Sequence, residues 1–508
     1  IDAMTTETTC LSSIWETDEK TQRFLTVHGR AGDYKPLHPA ELAYYDGVVS
    51  VDLSKIRPMI ALPMHPSNAF TIEELNANLK DILHDCEENV QKLVGRSDVK
   101  LDLCGKIENG RLRVDQGVIA GCAGGLFDSI YEAARILKGR TGGCGDYALS
   151  VYPGSQPIMM ELSRTGVLAD LMASGATIRT AFCGPCFGAG DVPANGALSI
   201  RHTTRNFPSR EGSKPGSGQL AGVALMDARS IAATTANGGI LTPATDIDYD
   251  PTVPEYHYDS SSYDTRVYQG FGHGDYDALL KFGPNIKDWP EIAPLGDHLL
   301  LKVASYITDP VTTTDELIPS GETSSYRSNP LGLAEFTLSR KDPAYVGRAK
   351  AVQAEEAARR AGQGDAALLA RINAVPGCES LTWADVQIAS TIFAVKPGDG
   401  SAREQAASCQ RVLGAGANIV NEYATKRYRS NLINWGMLPF QLNGAAPFGL
   451  GDYIFIPNVR KALKGDLQNI PAYVLGENVK PFALYMAPLT PDERQILADG
   501  CLINYYKR

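Results

Sequence analysis

The pattern of apolar and polar positions in the middle of the chain predicts strands and helices in alternation. Apolar runs predict strands over 113–120, 147–152 and 177–182, and apolar residues at helical spacing predict helices over 126–137 and 156–172. A succession of strand, loop, helix and strand is typical of a parallel sheet covered by helices. The sequence therefore predicts an α/β fold for this region.

Changes in this pattern along the chain predict the domain organisation. Before the alternating region, apolar positions at helical spacing with charged flanks predict a helix over 72–93. After it, a stretch rich in tyrosine, aspartate and serine lacks periodicity, as is typical of a linker. We predict the remainder of an α/β domain at 1–110, a cysteine-bearing α/β domain at 111–240, a linker at 241–292 and a final domain at 293–508.

The final domain contains a polar loop that allows two interpretations. After a strand predicted over 298–307, a glycine-rich loop leads into a helix predicted over 402–413. Ser401 precedes this helix and Glu404 lies three residues later, which is the spacing of a capping box. From spacing alone a helix cap is favoured. The alternative is catalytic, with helix-start amides and Arg403 holding Ser401 as an alkoxide that accepts a proton.

The composition limits the classes of function. Of the 508 residues, 44% are hydrophobic and 21% charged, as expected of a globular protein with several cores. The formal net charge of -10 and the absence of a long basic block argue against a nucleic-acid surface. Apolar runs fall short of the roughly 20 residues that cross a bilayer, so we expect no membrane anchor. Ten cysteines are too sparse for a disulfide scaffold, so we expect a reducing cytoplasm.

Three cysteines fall in loops that follow predicted strands. Cys122 lies in a Gly-Cys-Ala-Gly-Gly loop, and Cys183 and Cys186 form a Cys-Gly-Pro-Cys pair. Loops at the carboxyl ends of parallel strands are where such folds bind ligands. Reduced thiolates favour zinc or an iron-sulfur cluster, and no nearby histidine offers a fourth zinc ligand. A metal or cluster site is therefore favoured, while a thiol-disulfide oxidoreductase built on the pair remains the alternative.

Two arginines, Arg205 and Arg210, follow the cysteine pair in the sequence Thr-Arg-Asn-Phe-Pro-Ser-Arg. A guanidinium is solvated by default, so an exposed surface position is one interpretation. Close to the cysteine loop, both are also candidates for bidentate capture of carboxylates. Both interpretations stay open from the residues alone.

In this order, the motifs resemble the aconitase family of iron-sulfur hydro-lyases over nearly the whole chain. The family has Ser-Cys-Thr-Asn-Ser around the counterpart of Cys122, and its Cys-Gly-Pro-Cys pair is intact here. It has Asn-Arg-Asn-Phe-x-x-Arg at Arg205 and Arg210, Thr-Thr-Asp-His-Ile at Asp315, and Gly-x-Gly-Ser-Ser-Arg-Glu-His at Ser401. The resemblance implies aconitase-like three-layer α/β domains plus a C-terminal swivel domain of mixed β/α structure.

The resemblance also implies a role for each matching residue. Cys122, Cys183 and Cys186 would hold a 4Fe-4S cluster, easily lost in air, whose fourth iron acts as a Lewis acid on the substrate hydroxyl. Ser401 would remove a proton from the carbon next to a carboxylate, with Asp315 at the site. The substrate carboxylates would be bound by four arginines, namely Arg205, Arg210, Arg327 and Arg403.

This sequence departs from the family pattern in ways that affect substrate and completeness. Four positions that are asparagine, histidine, serine and histidine in the family carry other residues here, namely Thr204, Glu316, Ala402 and Gln405. These changes leave the identity of the hydroxy acid open. The family's Asp-Ser-His-Thr motif has no counterpart in this sequence. We therefore expect this chain to be the carboxyl-terminal part of a longer protein, or one subunit that needs a partner.

Three hypotheses of function follow. The first is a hydratase or dehydratase of a small hydroxy di- or tricarboxylic acid, with the swivel domain closing over the cluster site. The second is a non-catalytic relative that senses iron or redox state through the cluster. The third is a thiol-disulfide oxidoreductase that uses Cys183 and Cys186. None of the three calls for nucleic acid or a membrane.

Overall fold

The computed structural model describes residues 10, 12–143, 145–279, 281–319 and 323–507. It divides into two compact units, Ser12–Ala278 and Leu279–Arg508. Both units combine helices with a large sheet that contains parallel strands, which confirms the predicted α/β class. Within the described residues, no helix has the length and apolarity needed to cross a membrane.

The first unit contains nine strands and nine α-helices among its described residues. Its strands are β1 (Met59–Ala61), β2 (Ala69–Thr71), β3 (Ile107–Glu108), β4 (Arg111–Leu112), β5 (Gln116–Ile119), β6 (Ala148–Val151), β7 (Thr177–Ile178), β8 (Leu198–His202) and β9 (Gly222–Met226). Its helices are α1 (Glu19–Val27), α2 (Ile72–Ala77), α3 (Leu79–Val94), α4 (Gly121–Gly124), α5 (Phe127–Leu137), α6 (Gln156–Arg164), α7 (Val167–Ala173), α8 (Ala228–Ala236) and α9 (Ser261–Asp264).

The main sheet of the first unit has the strand order β2-β1-β9-β8-β5-β6-β7. Strands β5 to β9 pair in parallel, whereas β1 pairs antiparallel with both β2 and β9. From β5 the chain builds outward through β6 and β7, and it then returns to place β8 on the other side of β5. The edge above β5 and β8 is therefore a topological switch point, where open α/β sheets bind ligands.

Helix α5 shows why the apolar pattern folds as predicted. It buries residues on one stripe, and this stripe packs against the core of the first unit. The predicted helix over 156–172 is divided into α6 and α7 by Gly166, whose φ of 79° lies in the left-handed region that favours glycine. The helix predicted over 72–93 is likewise present as two helices, α2 and α3.

Two elements near the cysteines differ from the sequence prediction. The strand predicted over 177–182 is only the two residues of β7, so the cysteine pair follows a longer irregular segment. The predicted loop at 121–125 contains the short helix α4. The α4 segment is rich in glycine and carries little apolar periodicity, so its conformation depends on tertiary contacts. Strand β7 is short because only Thr177 and Ile178 pair with β6, and residues 179–182 are exposed.

Two features of the first unit cross the predicted domain boundaries. Strands β1 and β2, which lie in the predicted 1–110 region, belong to the same sheet as the strands of the 111–240 region. The region predicted as a linker contains α9 and a 3-10 turn, and Tyr249, Val253 and Tyr256 within it pack against the first core. These contacts explain why the first unit extends to Ala278.

The second unit also contains nine strands and nine α-helices among its described residues. Its strands are β10 (His298–Ile307), β11 (Thr312–Thr313), β12 (Val386–Ala394), β13 (Pro397–Asp399), β14 (Ala415–Val420), β15 (Leu438–Gln441), β16 (Tyr453–Ile456), β17 (Ile470–Leu475) and β18 (Val479–Leu484). Its helices are α10 (Thr314–Leu317), α11 (Pro330–Ala334), α12 (Tyr345–Arg360), α13 (Ala366–Asn373), α14 (Arg403–Val412), α15 (Lys426–Asn434), α16 (Val459–Ala462), α17 (Pro491–Asp499) and α18 (Leu502–Tyr505).

The sheet of the second unit is mixed, with the order β15-β14-β12-β10-β16-β17-β18. Strands β10, β12, β14 and β15 pair in parallel, and β16, β17 and β18 complete the sheet with antiparallel pairs. Strands β10 and β12 are almost entirely buried, as expected for central strands covered on both faces. Beyond the end of β12, β13 pairs with β11 and positions the loop that carries Ser401.

A half-buried histidine at the end of β8 gives the first unit a predicted pH dependence. Burial lowers the pKa of His202 below its ordinary value of 6.5. Below about pH 6.5 the unfolded chain therefore binds a proton that the native histidine does not, so stability falls as the pH falls. We expect His202→Gln to remove part of this dependence, which can reach at most about 1.4 kcal/mol per pH unit.

This is measured by urea unfolding of wild type and variant between pH 7.5 and pH 5.5. The control is His84→Gln, because His84 is exposed on α3 and its replacement should leave the dependence unchanged. Parallel pH curves for wild type and His202→Gln would contradict the prediction.

Candidate functional site

The segment that carries Cys122 begins where β5 ends at the switch point. Ala120 is extended, and Gly121 opens α4 with a φ of 72°. Cys122 is exposed at the second position of this helix. A Cβ at Gly124 would overlap the carbonyl of His202 at the end of β8. The glycines that follow Cys122 therefore let the α4 backbone lie directly against the neighbouring strand.

The Cys183 and Cys186 pair lies against the same segment. The two cysteines frame a 3-10 turn in which the Cys186 N–H donates to the Cys183 carbonyl at 3.1 Å. Their thiols are in hydrogen-bond contact. The Cys186 sulfur lies 2.8 Å from the position that a Cβ on Gly121 would occupy. The structure thus brings the cysteine pair next to the residue that precedes Cys122.

Electrostatic effects of opposite sign act on the Cys186 thiol. The hydrogen bond with Cys183, burial and the Cys183 charge raise the pKa of Cys186 well above its ordinary value. The positive charge of Arg210 and the backbone N–H of Thr204 act in the opposite direction. The Cys186 side chain is only 5% exposed. It therefore resembles a buried thiol that needs a cation or metal in order to ionise, and it differs from an exposed nucleophilic thiol.

The two predicted arginines lie in the loop after β8. The Arg210 Nε donates to the Cys186 carbonyl at 2.7 Å, so this arginine is attached to the cysteine turn. The Arg205 guanidinium is 3.4 Å from the Thr204 hydroxyl. The loop is fixed to the other side of the sheet by Asn206, whose amide donates to the carbonyls of Ala61 and Leu62 at 3.1 and 2.8 Å. Cysteines and arginines therefore share one edge of the sheet.

Arg201 is a site-supporting residue that sequence reasoning missed. It lies on β8 with 1% of its surface exposed, and it donates to the carbonyls of Pro185 and Asp191 at 2.6 Å each. It also donates to the Ser199 hydroxyl at 3.0 Å. In the β8 sequence Leu-Ser-Ile-Arg-His the arginine follows the polar alternation of the strand, so only the structure shows that this charge is buried and needs dedicated partners. Its partners fix the segment that contains Cys186.

The side chains along this edge limit the kind of metal group that could bind there. Across the part of the chain that the structure describes, no three His, Cys, Asp or Glu side chains meet closely enough to hold one metal ion. The irons of a cluster lie apart, so cysteines around a cluster need not converge on one atom. A donor set of thiols alone suits an iron-sulfur cluster or zinc, and the structure places the Cys183 and Cys186 pair next to Gly121, the residue before Cys122.

The loop that carries Ser401 is fixed within the second unit by α10. Gly400 has a φ of 118°, and a Cβ there would overlap the Thr314 hydroxyl. The same hydroxyl accepts a hydrogen bond from the Ala402 N–H at 3.2 Å. Asp315, 8% exposed, is the next residue of α10. The structure therefore brings the α10 turn that carries Asp315 against the segment that carries Ser401.

The helix-cap interpretation of Ser401 is wrong. The N-cap of α14 is Ala402, and no side chain makes a cap hydrogen bond there. The Glu404 carboxylate instead accepts from the indole N–H of Trp435 at 2.8 Å. The spacing matched a capping box, but the contacts of Gly400 and Ala402 with Thr314 start the helix one residue later.

Two further positions of the second unit have defined surroundings. Glu316 forms a capping box with Thr313 at the start of α10 and also pairs with Lys341 at 3.2 Å. A structural role thus explains a glutamate where the family pattern has histidine. Arg327 is exposed directly after the 3-10 turn Ser324–Tyr326.

A pocket of about 360 Å³ lies beside Ser401 in the second unit. It is formed where the first turn of α14 meets the first turns of α15. The residues that line it are Ser401, Arg403, Glu404, Arg427, Ser430 and Asn431. Ser401 and Arg403, which were predicted from the sequence, therefore share a pocket. Arg427 was not predicted for the site.

Two parts of this chain match known protein families. Residues 1–233 match the aconitase family (aconitate hydratase), and residues 380–445 match the aconitase C-terminal domain. The 3-isopropylmalate dehydratase large subunit of Clostridium kluyveri is 28% identical over 241 residues, which are 47% of this chain and 48% of that protein. The same-named subunit of Moorella thermoacetica is 30% identical over 234 residues, 46% of each chain.

The chain spans about half the length of the curated relatives it matches. Among solved structures, a 3-isopropylmalate dehydratase from Methanocaldococcus jannaschii is 21% identical and covers 41% of this chain and 93% of its own. Its TM-score of 0.25 is too low for a comparison of architecture.

The contact between Gly121 and Cys186 is tested with two matched glycine substitutions. Gly121→Ala adds a methyl group 2.8 Å from the Cys186 sulfur, whereas Gly139→Ala adds one in open space. Both glycines have a positive φ, 72° and 74°, so both variants carry a similar backbone penalty of about 1 kcal/mol. Only Gly121→Ala should displace the thiol and lose a further 1 to 3 kcal/mol, roughly, of stability from overpacking.

The measurement is the rate of maleimide labelling of Cys186, read by mass spectrometry, together with thermal unfolding. We expect faster labelling in Gly121→Ala than in Gly139→Ala. Equal rates and equal unfolding temperatures would show that the two segments are not in contact.

Proposed function

We propose that this chain, which belongs to the aconitase family, acts as a hydro-lyase on a small hydroxy di- or tricarboxylic acid. The observation that carries this proposal is the packing of Cys186 against Gly121, with Arg210 bound to the same cysteine turn. It joins thiols and the arginine side chain proposed to bind a carboxylate at the switch point of a parallel sheet. The names of the relatives, which describe dehydratases, support the same reaction class.

The proposed cofactor is a 4Fe-4S cluster held by Cys122, Cys183 and Cys186. When bound, such a cluster would supply a Lewis acid that favours departure of the substrate hydroxyl. The chain's own contribution is to hold the thiols in position. The carbonyl contacts of Arg201 and Arg210 with the cysteine turn serve this purpose.

The remaining residues are proposed to bind carboxylates and to move a proton. Arg205, Arg210, Arg327 and Arg403 would bind the carboxylates of the substrate by charge-assisted hydrogen bonds. Ser401 Oγ would take the proton from the carbon next to a carboxylate, and the neighbouring Arg403 would stabilise the alkoxide. The proton and the departing hydroxide together make the water that is lost, and hydration reverses both steps. Asp315 would take part in proton transfer nearby.

Turnover is proposed to need groups beyond those described here. The Asp-Ser-His-Thr motif of the family pattern does not occur in this sequence. We propose that its proton-transfer groups are supplied in cis or by a separate subunit. Activity assays therefore compare this chain alone, the Clostridium kluyveri relative's polypeptide alone and a mixture of the two.

The thiol-disulfide alternative is supported by one observation, the contact between the Cys183 and Cys186 thiols. In that case the pair would cycle between dithiol and disulfide, with two electrons and two protons passing to a disulfide substrate. Burial of Cys186 slows such exchange unless the turn opens. The cluster proposal uses both thiols and also explains the arginines.

Anaerobic reconstitution with iron and sulfide tests the proposed ligands. We expect a brown chromophore and bound iron in the wild type, and a clear loss of both in Cys122→Ser, because one of three thiolate ligands is removed. Cys104→Ser is the matched control, since Cys104 is a partly exposed cysteine of the same unit. Bound iron should be unchanged in that variant. Equal iron in all three proteins, or a Cys183–Cys186 disulfide in protein that binds no iron, would reject the cluster.

Substitution of Ser401 tests the proposed base. With reconstituted protein in the mixture described above, and with the relative's own activity subtracted, an ultraviolet assay follows double-bond formation on a panel of hydroxy di- and tricarboxylic acids. We expect Ser401→Ala to lower kcat by about 100- to 10,000-fold, the usual contribution of a general base. Iron content and unfolding temperature should not change. The control Ser380→Ala replaces an exposed serine of the same unit and should keep full activity. Full activity in Ser401→Ala would remove this residue from the chemistry.

A further inference from the structure

A pocket of about 260 Å³ lies in the second unit at the end of the sheet opposite to Ser401. It is formed where α12, the start of β12 and the end of α14 meet the segment 290–293. Ser401 follows the other end of β12, and the nine residues of this strand separate its two ends by roughly 25 to 30 Å. The pocket is therefore distinct from the site of the proposed function.

Arg411 lines this pocket and has no carboxylate as a partner among the described residues. Its guanidinium donates to three carbonyls, those of Ala415 at 2.9 Å, Gly500 at 3.2 Å and Ala293 at 3.3 Å. Burial lowers the pKa of Arg411 to about 10, so the side chain remains a cation at neutral pH. A desolvated cation that is held by neutral carbonyls is stabilised further by an anion. This wall of the pocket therefore favours a carboxylate group of a ligand.

The pocket is also lined by two glutamates, which differ in their surroundings. Glu356 accepts from the Nε atoms of Arg359 and Arg360 at 2.7 and 2.8 Å. It also accepts from the Ile388 N–H at 2.9 Å. Glu291 is exposed, and in the part of the chain that the structure describes it forms no ion pair. Glu356 is thus compensated inside the unit, whereas Glu291 is available to a cationic group of a ligand.

Glu291 and Arg411 are close enough to bind the two ends of one small molecule. The Ala293 carbonyl contacts Arg411, and Ala293 follows Glu291 by two residues. Two residues span at most roughly 7 Å of chain, and a hydrogen bond covers about 3 Å. A ligand between the two side chains therefore needs its charged groups only a few bonds apart, as they are in an α-amino acid.

Contacts around the pocket hold its walls in place. The Gln353 Nε2 donates to the Val412 carbonyl at 2.9 Å, and a Cβ on Gly414 would overlap the Gln353 side chain. Gly414 has a φ of 84°, a conformation that favours glycine. The apolar residues that line the pocket include Ile292, Ala357 and Val412. They offer an aliphatic group a surface on which to pack.

We propose that this pocket binds a free α-amino acid with an aliphatic side chain. The carboxylate faces Arg411, the ammonium group faces Glu291, and the aliphatic side chain packs on the apolar wall. The volume of about 260 Å³ is smaller than the roughly 300 to 1,000 Å³ of pockets that hold drug-sized ligands, so a nucleotide is too large. This inference goes beyond the hydro-lyase reaction and does not rest on it.

The test measures binding of three probes to the full chain by calorimetry. The probes are L-leucine, 4-methylpentanoate, which lacks the amino group, and 3-methylbutylamine, which lacks the carboxylate. We expect Glu291→Gln to weaken the binding of L-leucine and of the amine by about 5- to 10-fold, because a charge-assisted hydrogen bond at an exposed position is lost. Binding of 4-methylpentanoate should change by less than about twofold, since it has no cation to pair with Glu291.

Substitution of Arg411 should give the reciprocal pattern. We expect Arg411→Gln to weaken the binding of L-leucine and of 4-methylpentanoate by about 10- to 100-fold, because this cation is desolvated, and to leave the amine within about twofold. Thermal unfolding verifies that the variant is folded. If Arg411→Gln is unfolded, Arg411→Lys takes its place and should show the same pattern with a smaller loss, because it keeps the charge without the guanidinium fork.

The matched control is Glu477→Gln, which removes the same charge from an exposed glutamate of the same unit that does not line the pocket. It should leave the affinity for L-leucine within about twofold of wild type. No binding of L-leucine by wild type, equal losses in Glu291→Gln and Glu477→Gln, or an equal loss of 4-methylpentanoate and L-leucine in Glu291→Gln would overturn the proposal. These measurements need neither turnover nor bound iron, so their outcome is independent of the proposed function.

Discussion

The candidate site of the first unit depends on the hydrogen bonds of the buried Arg201 guanidinium. A charge with 1% exposure is tolerated only when its donors are satisfied, and here they reach the carbonyls of Pro185 and Asp191. Burial lowers the pKa of Arg201, while the nearby Glu211 and Asp191 charges act in the opposite direction and favour the cation. Because Pro185 lies within the cysteine turn, the position of Cys186 follows from the position of β8.

In each unit, glycine occupies positions of the candidate site segment where another backbone or side chain comes close. In the first unit, Gly121 admits the Cys186 sulfur, and Gly124 admits the end of β8. In the second unit, Gly400 admits the Thr314 hydroxyl, which also receives the Ala402 N–H. Such packing fixes short loops without a large apolar core of their own, and it is consistent with the preorganisation that proton transfer and ligand binding require.

The sequence predicted most of the regular elements. The strand over 298–307 and the helices α5 and α14 are present because their apolar spacing matches the burial that the fold imposes. The cap assigned to Ser401 was wrong, since the same spacing serves a capping box or a loop anchored elsewhere. The helix α4 was missed because its glycine-rich segment takes its conformation from distant contacts, and β7 is shorter than predicted because residues 179–182 are exposed.

By itself, the sequence determined the α/β class and the family of the chain. It also identified the three cysteines and the two arginines that follow them as candidate site residues. Only the tertiary structure decided that Cys186 lies against Gly121, that Arg201 supports the cysteine turn, and that Arg427 shares a pocket with Ser401. The reason is that spacing along a chain governs hydrogen bonds over a few residues. Contacts between distant loops depend on the order in which strands join the sheet and on which helices pack together.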